Sequence, residues 1–175
     1  MKTHLSQELP PAKRQAIAQA FAAVPSGVFI LTSEYEKSRV GHTVCGVHMV
    51  CSDPPTVCVS IPKGTPIMAD ISESHKFGLV LVAEGDSHGL ARKFAKGGAG
   101  GEDGEDMFLG LPMVAGTAVP IPQHGLAWMS CDLMMHLDTE GNADLFIGRV
   151  LDGAHCDATG QVKPKVKVPM FEAKK

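Results

Sequence analysis

The chain has 175 residues, 44% of them hydrophobic, and a formal net charge of -3. That is enough apolar material for one domain with a full core, and the slight acidity excludes the basic surface that nucleic acid would need. The apolar runs, such as 27–32 and 77–83, fall far short of the ~20 residues of a membrane helix. The opening MKTHLSQELPP lacks a signal-peptide core, so a cytoplasmic protein is expected.

Residues 1–9 read as an N-terminal extension and 10–160 as a single domain. From Pro10 to Ala23, Ala, Ile and Phe recur at helical spacing after a Pro-Pro start, which predicts an amphipathic helix. The pattern then changes to strands. Val28 to Leu31 is a short apolar strand and Tyr35 to Arg39 a polar turn. Val40 to Val50 and Thr56 to Ile61 are the next two strands, separated by the stop signal Asp53-Pro54-Pro55. These three strands are expected to meander into the tetrapeptide Lys63-Gly64-Thr65-Pro66. Thr65 suits an N-cap and Pro66 the first helical position, while Gly64 admits close approach to the backbone. Free N–H groups and the positive dipole end would then face outward beside Lys63, ready for a phosphate.

After this corner come a helix, PIMADISES, a strand, KFGLVLVA, and a helix, GLARKFAK, capped by Asp86-Ser87. The tract KGGAGGEDGED has neither G-x-G-x-x-G nor G-x-x-x-x-G-K-[ST] spacing and reads as a connection. Gly125 to His136 and Ala143 to Val150 predict a long hairpin about the turn 138–142. The tail, 161–175, adds a candidate edge strand suited by its prolines and lysines. Many strands with few helices predict a closed or nearly closed barrel.

Five cysteines, Cys45, Cys51, Cys58, Cys131 and Cys156, are an odd number set mostly among Val, Met and Leu, and read as buried reduced thiols. His42, Cys45, His48 and Cys51 recur every third residue and are metal ligands by type. Strand alternation, however, sends the two cysteines to one face and the two histidines to the other, so the four do not converge. The remaining histidines form no triad by spacing. Trp128, Met129, Met134 and Met135 are expected in the core or at a subunit contact.

The order of several short motifs resembles the flavin reductase-like, FMN-binding split-barrel family. They are G-x-T-x(9)-D-P-P-x-V-x-V at Gly41 to Val59, the K-x-T corner, F-x-[LV]-x-[LV] at Phe77 to Leu81, and L-A-x-x-F at Leu90 to Phe94. F-x-G at Phe108 to Gly110, L-A-W from Leu126, and F-[IV]-G-x-V at Phe146 to Val150 complete the series. The resemblance spans roughly residues 20–153. It implies a mainly β fold with a few helices, a six-stranded antiparallel split barrel, usually homodimeric, with FMN near the subunit interface and FAD less expected. It also implies hydride transfer from NADH or NADPH to the flavin, and onward transfer to free flavin, an iron complex or a partner protein. The flavin-contacting segment implied is Thr43, Val44, Cys45, Gly46, Val47 and His48, followed by Cys51 and Ser52. Pro62, Lys63, Gly64 and Thr65 would hold the phosphate, with Arg92, Lys93 and Phe94 closing the site. No catalytic acid or base is implied, because the hydride chemistry belongs to the flavin.

Five positions depart from the family pattern. Cys45, Gly46 and Val47 replace polar or aromatic residues, which leaves backbone contacts to the flavin and removes side-chain ones. Val80 replaces a frequent Asn, and Ala143 stands where a His associated with nicotinamide handling is common. The last departure raises two alternatives: an FMN-binding electron-transfer module that does not use a nicotinamide, and a flavin-free structural homologue.

Overall fold

The computed structural model describes residues 10–83, 85, 89–97 and 106–156. Helix α1 (Pro11–Ala22) precedes strands β1 (Phe29–Tyr35), β2 (Ser38–Val44), β3 (Val47–Ser52) and β4 (Pro55–Pro62). Then follow α2 (Pro66–Ser74), β5 (Lys76–Leu81), α3 (Leu90–Lys93), β6 (Ala127–Leu137) and β7 (Ala143–His155). Among the described residues the strands form one seven-stranded sheet, in the order β2-β1-β5-β6-β7-β4-β3, with every neighbouring pair antiparallel. The tail 161–175 and the centre of the glycine-rich tract lie outside the described residues, as do Asp86 and Ser87.

The strand expected over Val40 to Val50 is two strands, which raises the count from six to seven. Among the described residues β2 pairs only with β1, β3 pairs only with β4, and they occupy opposite edges of the sheet. No three-strand meander forms, because β2 and β3 share no ladder. The break falls at Cys45-Gly46, where the Ser60 N–H donates to the Gly46 carbonyl at 2.8 Å. A Cβ on residue 46 would lie 2.9 Å from Ser60 Cβ, so the approach of β4 requires glycine there. One continuous run thus supplies both edges. The sheet curls as a split barrel whose rim stays open, since the edges meet through this crossing and not through a ladder.

Elsewhere the expected elements differ mainly in length. The turn expected over Tyr35 to Arg39 narrows to Glu36 and Lys37, both with positive φ (47° and 69°), the two-residue geometry that matches strand twist. Tyr35 and Arg39 therefore stay in the β1–β2 ladder. β7 continues to His155 by pairing along the whole of β6. α1 forms as expected after its proline start, but none of its residues is buried, so it does not lay an apolar face on its own barrel.

The β1 and β5 sequences are near-continuous apolar runs because both faces of these strands are covered. Leu31, Phe77 and Leu79 point into the barrel, with Val59, Ile61 and Phe146. Ile67 and Ile71, one helical turn apart, bring α2 against the same cluster. Ile30 and Val80 point the other way, into a second cluster with Phe94, Phe108, Ile121 and Trp128. Each fully buried large apolar side chain contributes about 1.5–3 kcal/mol of transfer free energy. Gly148 marks where packing is tightest: a Cβ there would sit 2.4 Å from the Phe77 ring and 3.2 Å from the Asp132 carbonyl. Gly148→Ala is expected to destabilise the protein by about 1–3 kcal/mol through overpacking, with the thermal midpoint falling by several degrees in a circular-dichroism melt. An unchanged midpoint would mean that Phe77 can turn aside at no cost.

Candidate functional site

The β2–β3 break brings three of the expected segments together. Thr43, at the end of β2, is tied to α3: its N–H donates to the Phe94 carbonyl at 3.0 Å and its hydroxyl to the Ala91 carbonyl at 2.8 Å. On the other side of the break, the Gly46–Ser60 contact sets the segment two residues before Pro62, so the corner Pro62 to Thr65 adjoins it. Val47 N–H donates to the Cys45 carbonyl at 3.1 Å, closing a tight turn within the break. The side chains of Val44 and Val47 pack in the barrel core, whereas Cys45 and His48 are exposed.

Other expected residues stand differently. Cys51 and Ser52 lie at the far end of β3, opposite Thr56 and Pro55, whereas the corner follows Pro62 at the other end of β4. Six strand residues separate the two ends, or about 20 Å. Phe94 is fully buried against Phe108, with ring centroids 5.1 Å apart, so only its carbonyl reaches the break. Arg92 and Lys93 are exposed, and Lys93 Nζ donates to the Leu109 carbonyl at 3.3 Å.

At the corner, Gly64 has φ +78° and Pro66 opens α2, with Thr65 in the N-cap position. The Thr65 hydroxyl turns back to donate to the Pro62 carbonyl at 2.9 Å and does not cap the helix. Lys63 is not a free cation. Its Nζ lies 2.5 Å from Asp138 Oδ1 and 3.3 Å from Asp144 Oδ1, and its N–H donates to the Asn142 carbonyl at 2.9 Å. Asp144 in turn lies 2.9 Å from His136 Nε2, and the His136 ring stacks on Phe146 at 4.3 Å. The hydrogen bond with Asp138 holds Lys63 above the usual lysine range, and the same bond holds Asp138 below the usual carboxylate range. Burial pushes Asp144 up, but its bonds with His136 and Lys63 outweigh it and keep its carboxyl low.

The sequence did not single out Asp138, Asp144 or His136 for this site. The available signal was Asp144 itself, a carboxylate at the inward parity of a strand, alternating with buried Phe146 and Gly148. As for the repeated His and Cys residues, His42 is half-buried, with its pKa lowered by burial, while Cys45, His48 and Cys51 are exposed. Among the described residues no group of three or more His, Cys, Asp or Glu is placed to hold a metal. A separate groove of about 410 Å³, lined by Glu34, Arg39, Thr117, Val119 and Ile121 among others, shares no residue with the three segments.

The donor set fits a flavin. Among the described residues β2 and β3 are edge strands whose outer backbone groups have no strand partner, the break between them is irregular, and the first turn of α2 lacks a side-chain cap. Such backbone groups suit a pyrimidine edge and a phosphate. The family model for the flavin reductase like domain matches residues 21–165, and the chain belongs to that family. A curated relative is the reductase component of 4-nitrophenol 4-monooxygenase/4-nitrocatechol 2-monooxygenase from Rhodococcus opacus. It is 29% identical over 158 residues, covering 87% of this chain and 76% of that protein. The fold matches the styrene monooxygenase flavin reductase of Pseudomonas putida S12 with a TM-score of 0.68 at 24% identity, covering 81% of this chain and 87% of that one. It also matches the Streptomyces globisporus C-1027 NADH:FAD oxidoreductase SgcE6, in complex with NAD and FAD fragments. That TM-score is 0.70 at 19% identity, covering 93% of this chain and 98% of the other.

Cys45 and Cys51 are exposed, which corrects the expectation of mostly buried thiols, and Cys58 is half-buried. Burial raises the Cys58 thiol and pushes Cys131 up to about 12. Alkylation of the native protein, read by peptide mass mapping, is expected to modify Cys45 and Cys51 first, and Cys131 and Cys156 only after unfolding. Added flavin should slow modification of Cys45 more than that of Cys51. Equal rates with and without flavin would count against a flavin seated at the break.

Proposed function

We propose that this protein is a flavin reductase, an oxidoreductase that moves electrons from NADH or NADPH to a flavin and onward to free flavin, an iron complex or a partner protein such as an oxygenase. The observation that carries this reading is the convergence of α3, the β2–β3 break and the α2 corner in a chain of this family. When bound, the flavin supplies the two-electron acceptor chemistry. The protein's own part is binding and orientation. Backbone groups of Cys45 and Gly46 would hold the pyrimidine edge, His48 would flank it, and Lys63, Thr65 and the α2 terminus would hold the phosphate, with Arg92 and Lys93 beside it. The flavin proposed is FMN, and FAD presents the same isoalloxazine, ribityl chain and first phosphate.

The assembly proposed is a homodimer. Met49, Val50, Met134, Met135, Leu137 and Leu151 are exposed large apolar residues on β3, β6 and β7. Such side chains gain from burial against a second copy. A second reading, an electron-transfer module independent of nicotinamide, is favoured by one observation. Ala143 pairs with Pro62 beside the corner and offers no polar side chain there.

Anaerobic addition of NADH, then NADPH, to the protein with one equivalent of FMN or FAD is expected to bleach the oxidised-flavin absorbance within seconds. Bound flavin that stays oxidised with both nucleotides would overturn the reductase reading in favour of the electron-transfer module. Failure to bind either flavin would overturn both.

A further inference from the structure

Lys63 sits three residues before the start of α2 and is shared by two carboxylates of very different standing. Asp144 is committed to the strand: its side chain is only 6% exposed, it lies 2.9 Å from His136 Nε2, and it accepts from the Thr139 N–H at 3.4 Å. Asp138 stands at the exposed tip of the β6–β7 hairpin, with its side chain 67% exposed, and it makes the shorter contact to Lys63, at 2.5 Å. Its other contact is local, with Oδ1 accepting from the Glu140 N–H at 2.7 Å. An ammonium has three donors and a phosphate arrives as an anion, so a phosphate approaching Lys63 meets a carboxylate already in place. The nearby groups, Lys63, Asp138, Asp144 and His136, carry a net charge of -1 when the imidazole is neutral and zero when it is protonated, so the cluster offers no spare positive charge.

We propose that the Asp138 carboxylate occupies the anion position of the Lys63 corner as an internal competitor of the flavin phosphate, and so sets how readily flavin leaves. This rests on the reading of the corner as the phosphate site. Asp144 is the fixed arm that keeps Lys63 at the corner, and Asp138 is the releasable one. Breaking an exposed pair costs little, so flavin still binds, but each binding event must first undo that pair. A flavin held in this way exchanges with solvent, as a reductase that delivers reduced flavin elsewhere requires.

The test is equilibrium binding of FMN and of riboflavin, which lacks the phosphate, to Asp138→Asn, Lys63→Met, the double variant and the control Glu140→Gln. The amide oxygen left by Asp138→Asn can still accept from the Glu140 N–H, so the hairpin tip keeps its local bond. Asp138→Asn is expected to lower the FMN Kd by about 2- to 5-fold, the range set by an exposed ion pair, and to slow FMN release, while leaving riboflavin unchanged. Lys63→Met should weaken FMN and erase the effect of Asp138→Asn in the double variant. If Lys63→Met weakens FMN but Asp138→Asn does not tighten it, the competition is wrong and the corner survives. If Lys63→Met leaves FMN binding unchanged, the corner itself is wrong and the competition falls with it. Equal tightening of riboflavin, or equal tightening of FMN by Glu140→Gln, would reduce the effect to a general field and overturn the proposal.

Discussion

The crossing at Gly46 is the constraint on which the rest of the structure depends. Residues 38–52 form one continuous run, yet they must supply both edge strands of a seven-stranded sheet. That is possible only if the sheet curls until the end of β2 and the start of β3 are separated by Cys45 and Gly46 alone, and the Ser60–Gly46 hydrogen bond of 2.8 Å fixes where they meet. Curling creates an interior, which is filled by Leu31, Leu79, Val59, Ile61, Phe77 and Phe146 and plugged by Ile67 and Ile71 of α2. The barrel, the position of α2 and the corner before it therefore share one geometric origin.

The same crossing explains why the candidate site relies on backbone more than on side chains. A closed ladder would have consumed the edge N–H and C=O groups, whereas among the described residues the outer edges of β2 and β3 meet no further strand, and on β2 the Thr43 N–H is taken by the Phe94 carbonyl. Side chains at the break are either turned into the core, as with Val44 and Val47, or too small to reach far, as with Gly46 and Cys45. Charge is supplied from elsewhere in the chain. The β6–β7 hairpin brings two acids and a histidine to the one lysine of the corner, so its electrostatics belong to a network and not to a single cation.

Much of this was legible in the sequence where the signal is local. Pro66 after Thr65, the alternation of the late hairpin and the apolar runs of β1 and β5 each identify their element, because steric rules within a few residues decide them. The seventh strand was not read, because Val40 to Val50 is mostly β-forming, and Gly46, a local hint of a break, gains its meaning only from the non-local approach of Ser60. Thr65 shows the same limit at a cap: its residue type suits the role, but its hydroxyl turns back to donate to the Pro62 carbonyl and its oxygen accepts from no N–H of the first turn. The pairing of Lys63 with Asp138 joins residues 75 positions apart, and that with Asp144 reaches further still, beyond any spacing rule. α1 forms after its proline start, but its apolar residues gather on no single face and none of them is buried among the described residues, so the amphipathic character expected of it is not met.

The strand order also governs when the fold can be completed. β4 pairs with β7 from Thr56↔Arg149 to Pro62↔Ala143, so the hairpin that carries the β2–β3 break has no inner neighbour until the last described strand exists. On the ribosome, β3 and β4 are made early and must wait through the synthesis of α2, β5, α3 and β6 before β7 emerges. Contacts of such sequence separation are slow to form and leave strand edges open to other chains in the meantime. Truncation before β7 would therefore strip the inner support from the hairpin bearing the break, and among the described strands the greatest exposure to misassociation during synthesis comes just before β7 appears.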